Sequence, residues 1–338
     1  MRCNKIKISI FLILLILFTS CNETENEVII DRKMIDENTL EFNVDGVSFR
    51  MKHVLPGTAY LGLQNKDSSL YNYINYDTQF IIHNYWILHG VTFTYDFWIS
   101  ETEVTQELWE KIMGYNNSYY KGPKNPVENI NFYEIATFFM KLNSMFNYSA
   151  LYTLSSYGES AWDKVPEEGY VKMFNYRQGF RLPLSFEWEY AAKGGQYLDE
   201  NEYLYSGSNI DDIAWYQNNS NNTTHAVAQK KPNKLGLYDM TGNVFEITNS
   251  RVWTDYPHTD TVINGIPHYI NPLLHINDYS YSYPYQQICG GAYSSDTSQC
   301  LLAYRINRYN YTINHSNKAS IFGFRILFLT SQTKEGYR

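Results

Sequence analysis

The chain has 338 residues, enough for one large irregular domain or two to three smaller ones, and its 44% hydrophobic fraction excludes a disordered or fibrous protein. With 27 Lys+Arg against 35 Asp+Glu the net charge is −8, which argues against nucleic-acid binding, where counterion release rewards a basic surface. Tyrosine is abundant at 32 residues; its apolar face and polar tip suit partly wet cores and recognition surfaces, although an AT-rich coding bias would enrich it equally.

Arg2, Lys5 and Lys7 precede a run from Ile8 to Phe18 that is apolar except for Ser9. That run is shorter than the ~20 residues of a membrane-spanning helix and fits a secretory leader. It ends Phe18-Thr19-Ser20-Cys21, which resembles a bacterial lipoprotein signal in which Cys21 becomes the lipidated first residue. The other reading is an ordinary signal peptide with an incidental cysteine. Asn22 to Glu27 carries three acids and reads as a solvated tether, similar to the sorting signal of surface lipoproteins in the Bacteroidetes. The expected layout is a leader over 1–20, a tether over 21–39, one domain over 40–331 and a tail over 332–338. The expected location is the cell envelope, as an outer-membrane lipoprotein held by lipid on Cys21, with surface exposure left open.

Within the domain, Leu40 to Val54 alternates apolar and polar residues around Asp45-Gly46, a hairpin signal. Tyr85 to Ile99 is aromatic and β-branched and reads as strand. Thr105 caps a predicted helix carrying Leu108, Trp109, Ile112 and Met113, with Gly114 at its end. Asn131 and Glu134 form a capping box before Ile135, Phe138, Phe139 and Leu142, one face of a second helix. A third helix is predicted over Phe186–Lys193, closed by Gly194-Gly195. From there to Asn233 the chain is rich in Asn and Ser and reads as loop, and Tyr256 to Tyr285 reads as a loop excursion. No repeat is visible.

Cys289 and Cys300 are the cysteines left beyond the leader and Cys21, and an oxidising compartment permits them to pair. No Cys-x-x-Cys or His-Glu-x-x-His motif occurs, so zinc is unsupported. No Gly-x-Ser-x-Gly elbow suggests a serine hydrolase. Glu101/Glu103 and Glu187/Glu189 have the composition of a glycosidase acid pair, but such acids are more often solvated or paired to arginine.

Four segments occur in order: Glu101 to Trp109; Phe180-Arg181-Leu182-Pro183 with Glu187 to Ala192; Leu235 to Glu246; and Gly290-Gly291-Ala292-Tyr293 with Gly323-Phe324-Arg325. Together they resemble the sulfatase-modifying-factor domain, the family of the formylglycine-generating enzyme. The resemblance implies an α+β fold, related to C-type lectins, with much irregular structure. Arg181, Arg305 and Arg325 are expected to make buried pairs with acids such as Glu187, Glu189 and Asp239. The resemblance also implies a calcium loop formed by the carbonyls of Thr241, Gly242 and Val244 and the side chain of Glu246. The alternative there is a metal-free turn with Glu246 paired to an arginine.

Oxidase members of the family hold Cu(I) with two cysteines five positions apart, a donor pair suited to a soft ion. Aligned on Gly290-Gly291-Ala292-Tyr293, the second position is Cys300 and the first is Ser295; Asp296 replaces the family's neighbouring histidine. A neutral hydroxyl is a poor Cu(I) ligand, so copper and formylglycine-forming chemistry are not expected. Cys300 then reads as a buried small hydrophobe or as a disulfide partner of Cys289. The competing expectation is a formylglycine-type oxidoreductase that modifies a sulfatase cysteine through a rearranged site. The favoured expectation is a module that binds a protein or glycan ligand, or assembles an envelope complex. Candidate ligand contacts are Tyr293, Arg305, Tyr309 and Tyr311. The Tyr279–Tyr285 and Arg305–Tyr311 segments have recognition-loop composition, and the second resembles lectin-like display proteins, with ordinary aromatic packing as the alternative for both.

Overall fold

In a computed structural model the described residues are 29–63, 88–156, 159–160, 170–173, 177–198, 204–251, 260–272, 286–305 and 318–330. Cys21, Tyr309, Tyr311, the Tyr279–Tyr285 segment and the 332–338 tail lie outside them.

Sequence-local signals shape the first third of the domain. Strands β1 (Ile30–Asp36), β2 (Thr39–Val44) and β3 (Val47–Val54) form an antiparallel meander. The β2–β3 turn places Asp45 and Gly46 at φ 47° and 88°, and the Asn43 side chain accepts the Gly46 N–H. Both central residues at positive φ match the twist of the flanking strands. Tyr85–Ile99 was expected as one strand; the described part is two, β4 (Gly57–Leu61) pairing with β5 (His89–Phe93), then β6 (Phe97–Ser100) in a different sheet. Helix α1 (Gln106–Met113) has Thr105 as N-cap and Gly114 at φ 83° as its left-handed terminator. Helix α2 (Phe132–Met145) starts on the predicted Asn131/Glu134 capping box.

Further along are β7 (Tyr152–Ser156), β8 (Glu159–Ser160), β9 (Tyr170–Met173), β10 (Gly179–Arg181), α3 (Ser185–Ala192) and the short α4 (Ile210–Ile213). The chain continues with β11 (Phe245–Arg251), β12 (Thr261–Ile263), β13 (Ile266–Ile270), β14 (Gln286–Cys289), β15 (Phe322–Gly323) and β16 (Leu327–Leu329). Two expectations change here. Residues 30–36, read as tether, add a strand to the open edge of β2, and most of that strand is exposed. The loop excursion contains the β12–β13 hairpin, turning on Asn264 and Gly265 at φ 53° and 78°.

The largest sheet runs β1-β2-β3-β6-β16-β10 and is covered on both faces. Alternation along its strands decides which side chain goes where. Trp98 and Phe328 face α1 and α2 in one cluster, whereas Phe97, Ile99, Leu327 and Leu329 face α3 and the β4–β5 pair in another. Trp109 of α1 stacks on Phe138 of α2 at 5.5 Å and 5°, so the two predicted apolar stripes share a core. A smaller sheet, β14-β11-β15, brings the third motif segment against both parts of the fourth, because β11 pairs antiparallel with β14 and parallel with β15.

Candidate functional site

That small sheet sets the region where the family motifs meet. Glu246 lies opposite Cys289 on one side and Gly323 on the other. Arg325 follows two residues later. Its Nε and Nη2 donate to the two oxygens of Glu246, both at 2.6 Å, and Trp188 Nε1 adds a third bond at 2.7 Å. All three residues are buried. Of the expected arginine pairs, Arg181–Glu187 and Arg305–Glu189 form at 2.8 and 2.7 Å. Arg325 takes Glu246 rather than Asp239, because the parallel β11–β15 register carries it there. The Glu101/Glu103 and Glu187/Glu189 pairs are thereby structural where they are buried: Glu187 and Glu189 serve arginines, and Glu103 accepts from Asn243 Nδ2 and the Val244 N–H.

The Arg325 guanidinium sits among three buried carboxylates. Burial, with the charges of Asp239 and Glu246 nearby, holds the Glu103 carboxyl well above the usual range. Burial pushes Asp239 up to about 6, and its Oδ1 has no hydrogen-bond partner. The calcium set read from the sequence falls in this cluster. Its charged member, Glu246, is engaged by Arg325 and Trp188. The guanidinium supplies the positive charge beside Glu246, so this carboxylate, as paired here, does not fit a dication.

The copper position is built differently. Gly290 and Gly291 leave β14 at φ 93° and 81°. Gly291 runs so close to Cys300 that a Cβ would stand 2.7 Å from its Sγ and 2.9 Å from its Cα. The chain then turns: the Ala292 N–H donates to Ser295 Oγ at 2.9 Å and the Ser295 N–H donates to the Ala292 carbonyl at 2.9 Å. Ser295 is buried, and its hydroxyl is a structural acceptor in the turn. Cys300 is buried against Ile213, Ala214 and Tyr216, while Cys289 belongs to the cluster around α3. Both are free thiols, which removes the disulfide alternative. Burial pushes each up to about 12, so neither is a thiolate at neutral pH. One thiol and one engaged hydroxyl do not make the two-thiolate Cu(I) site.

Of the predicted ligand contacts, Arg305 is a correction. It is buried and donates to Glu189, which Lys193 also pairs, and to the Leu302 and Tyr304 carbonyls. Tyr293 is also inside. Its ring meets Tyr120 at 5.2 Å and 78°, and its hydroxyl lies 3.2 Å from Ser320 Oγ. Behind it sits a residue the motifs did not single out. Glu128 is fully buried, accepts the Tyr120 N–H at 2.8 Å, and leaves Oε2 unpartnered. Burial raises it to about 7. A lone acid in Pro126-Val127-Glu128-Asn129 carries no sequence signal of burial. Tyr119, next to this cluster, is 72% exposed and packs edge-on against Tyr120.

Residues 50–328 match the sulfatase-modifying factor enzyme 1-like domain family. The chain belongs to that family. The solved structure of Treponema denticola variable protein 1 is similar over 85% of this chain and 98% of its own, at 30% identity and a TM-score of 0.65. PvdO from Pseudomonas aeruginosa shares the fold at 19% identity and a TM-score of 0.52, over 82% of this chain and 94% of its own. CarF does so at 20% and 0.52, over 82% and 96%. Chaperone protein LppX of Paenibacillus barcinonensis is 34% identical over 190 residues, which is 50% of this chain and 66% of LppX, just under two thirds of that relative's length. The domain therefore has the expected α+β, formylglycine-generating-enzyme-like fold, with long irregular connections between short elements.

Proposed function

We propose that this chain is an exported lipoprotein of the cell envelope whose sulfatase-modifying-factor-like domain binds a protein or glycan partner, or assembles an envelope complex, without copper-dependent thiol oxidation. The observation that carries this reading is Ser295. At the place of the first soft donor, an oxygen closes a turn by accepting the Ala292 N–H, and the remaining cysteine, Cys300, is a buried thiol. A soft monovalent ion gains little from such a pair. The leader composition and Cys21 support export and lipid anchoring. No helix among the described residues is long and apolar enough to cross a membrane. A relative named a chaperone protein supports an assembly role over a purely catalytic one.

The test is anaerobic Cu(I) titration with oxygen-consumption measurements on a Cys-x-Pro-x-Arg peptide. The reading expects no stoichiometric high-affinity copper and no peptide-dependent oxygen uptake. Tight binding of one copper per chain together with turnover would replace it with the oxidoreductase alternative. Metabolic labelling with a palmitate analogue, lost in Cys21→Ala, checks the anchor.

A further inference from the structure

The largest sheet ends in β10 on one side and β1 on the other, and the two edges are finished differently. At β10 the Asn143 side chain closes the edge: it accepts the Phe180 N–H and donates to the Phe180 carbonyl, both at 2.8 Å. At β1, residues 31–36 are all exposed. The apolar side chains there are exposed too, Ile29 at 67%, Met34 at 54% and Ile35 at 41%. Backbone direction fixes what this edge offers. In an antiparallel ladder a residue turns its N–H and C=O to one side, and its neighbours turn theirs to the other. The Ile29 carbonyl accepts the Asp45 N–H, on the side of the β2–β3 turn. Arg32 is out of phase with Ile29, and its N–H is bonded to Asp31 Oδ1 at 2.7 Å. Ile30, Arg32 and Met34 therefore present their backbone groups outward, along a ladder that is regular from 30 to 34.

The side chains on this edge complement themselves. Ile29-Ile30-Asp31-Arg32-Lys33-Met34-Ile35 reads apolar, apolar, acid, Arg, base, apolar, apolar from either end. A second copy laid antiparallel and centred on Arg32 matches outward residues with outward residues. It sets each Asp31 opposite a Lys33 and each Ile30 opposite a Met34, and leaves Ile29 and Ile35 flanking each other at the ends. Sliding the register by two residues either way sets Asp31 on Asp31 or Lys33 on Lys33. Opposite charges directly across a ladder favour pairing and like charges oppose it, so the centred register wins. An edge lysine ordinarily keeps other strands away. Here each Lys33 meets an acid of the other copy, while Glu41, its neighbour on β2, is bonded to Arg50. The Arg32 side chains that share the axis are drawn inward. Each Cζ lies 5.7 and 5.4 Å from the ring centres of Phe42 and Phe328, and Nη1 donates to the Tyr148 hydroxyl at 3.2 Å.

We propose that β1 is a self-recognition edge: two copies of this chain pair antiparallel through residues 30–34, with Arg32 on the twofold axis, and join their largest sheets into one. The Asp31 carboxylate exchanges its bond to the Arg32 N–H for Lys33 of the other copy, and that N–H enters the new ladder. A ladder of this length buries well under the ~800 Å² per partner of a standard interface, so the dimer is a weak one. The inference goes beyond the binding role proposed above and depends neither on position 295 nor on a lipid at Cys21.

Sedimentation equilibrium of the full-length chain tests it, in density-matched mild detergent with micelles in excess. A monomer–dimer equilibrium is expected, with a dissociation constant on the order of 10–100 μM. Lys33→Glu should weaken it at least about tenfold, and Asp31→Lys/Lys33→Glu, which exchanges the two signs, should restore it to within about threefold. Both altered side chains are exposed, so the melting temperature should hold. Disulfide trapping checks the register. Chains carrying Asp31→Cys and chains carrying Lys33→Cys should cross-link when mixed, because opposed Cα atoms in such a pair stand ~4.5 Å apart, within disulfide reach. Neither should cross-link to itself, and the buried Cys289 and Cys300 do not compete. A chain that stays monomeric to concentrations on the order of 1 mM overturns the proposal, whatever else then covers β1. So does a dimer indifferent to Lys33→Glu, or self-cross-linking of Asp31→Cys chains as strong as that of the mixture.

Discussion

Replacing Glu187 by alanine tests whether buried forks hold this irregular fold together. Glu187 and Arg181 are both fully buried and share two bonds of 2.8 Å. The same carboxylate accepts the Leu184 N–H at the start of α3 and the Tyr95 hydroxyl, at 2.8 and 2.9 Å. Its loss strands a guanidinium in the core, and breaking such a pair from one side costs about 3–5 kcal/mol. With an unfolding entropy of ~2.1 cal/mol/K per residue over roughly 280 residues, the melting temperature should fall by about 5–8 °C. The double variant Arg181→Met/Glu187→Leu removes both charges and should recover more than half of the loss, since apolar replacement of a whole buried pair is often near neutral. The remainder reflects the Leu184 N–H and Tyr95 hydroxyl left without this acceptor. Urea unfolding followed by circular dichroism measures both. A single-variant cost under about 1 kcal/mol, or a double variant no more stable than the single, would refute the claim that the pair is desolvated and mutually dependent.

Three further outcomes follow from the site region. Glu128 is raised to about 7 by burial, so the folded state holds its proton more tightly than the unfolded chain, whose value is near 4.5. The resulting stability is fully present below that lower value and is lost as pH rises through about 7; Asp239 acts in the same sense through about 6. Glu128→Gln should flatten the fall in urea midpoint between acid and neutral pH, and an unchanged slope would contradict a buried protonated carboxyl. Gly291→Ala forces a side chain onto a backbone at φ 81° within 2.9 Å of the Cys300 Cα, and should cost at least about 2 kcal/mol by thermal melting. Because Arg325 neutralises Glu246, exchanging a chelator for millimolar calcium should move the melting temperature by less than about 1 °C; a rise of several degrees would place an ion on the loop.

Local signals in the chain translated well where the physics was local. Thr105, Gly114 and the Asn131/Glu134 box bound α1 and α2 because a cap needs only atoms within four residues. Arg181 and Glu187 find each other across six positions for the same reason. The hairpin at Asn264-Gly265 was legible too: Ile263-Asn264-Gly265-Ile266 is a two-residue turn signal inside a stretch read as loop. Strand β1 was not, since Ile30–Asp36 has no alternating apolar pattern and pairs by filling the free edge of β2.

Residue order alone therefore decided the family, the two capped helices, and the absence of a second sulfur at position 295, because each depends on identity and short spacing. Only the tertiary structure decided that Arg325 meets Glu246 rather than Asp239, that Tyr293 turns inward, and that Glu128 is buried with an unpartnered oxygen. Those outcomes depend on strand order and register between segments far apart in the chain, and the energy of a buried charge is set by whichever neighbour that register delivers.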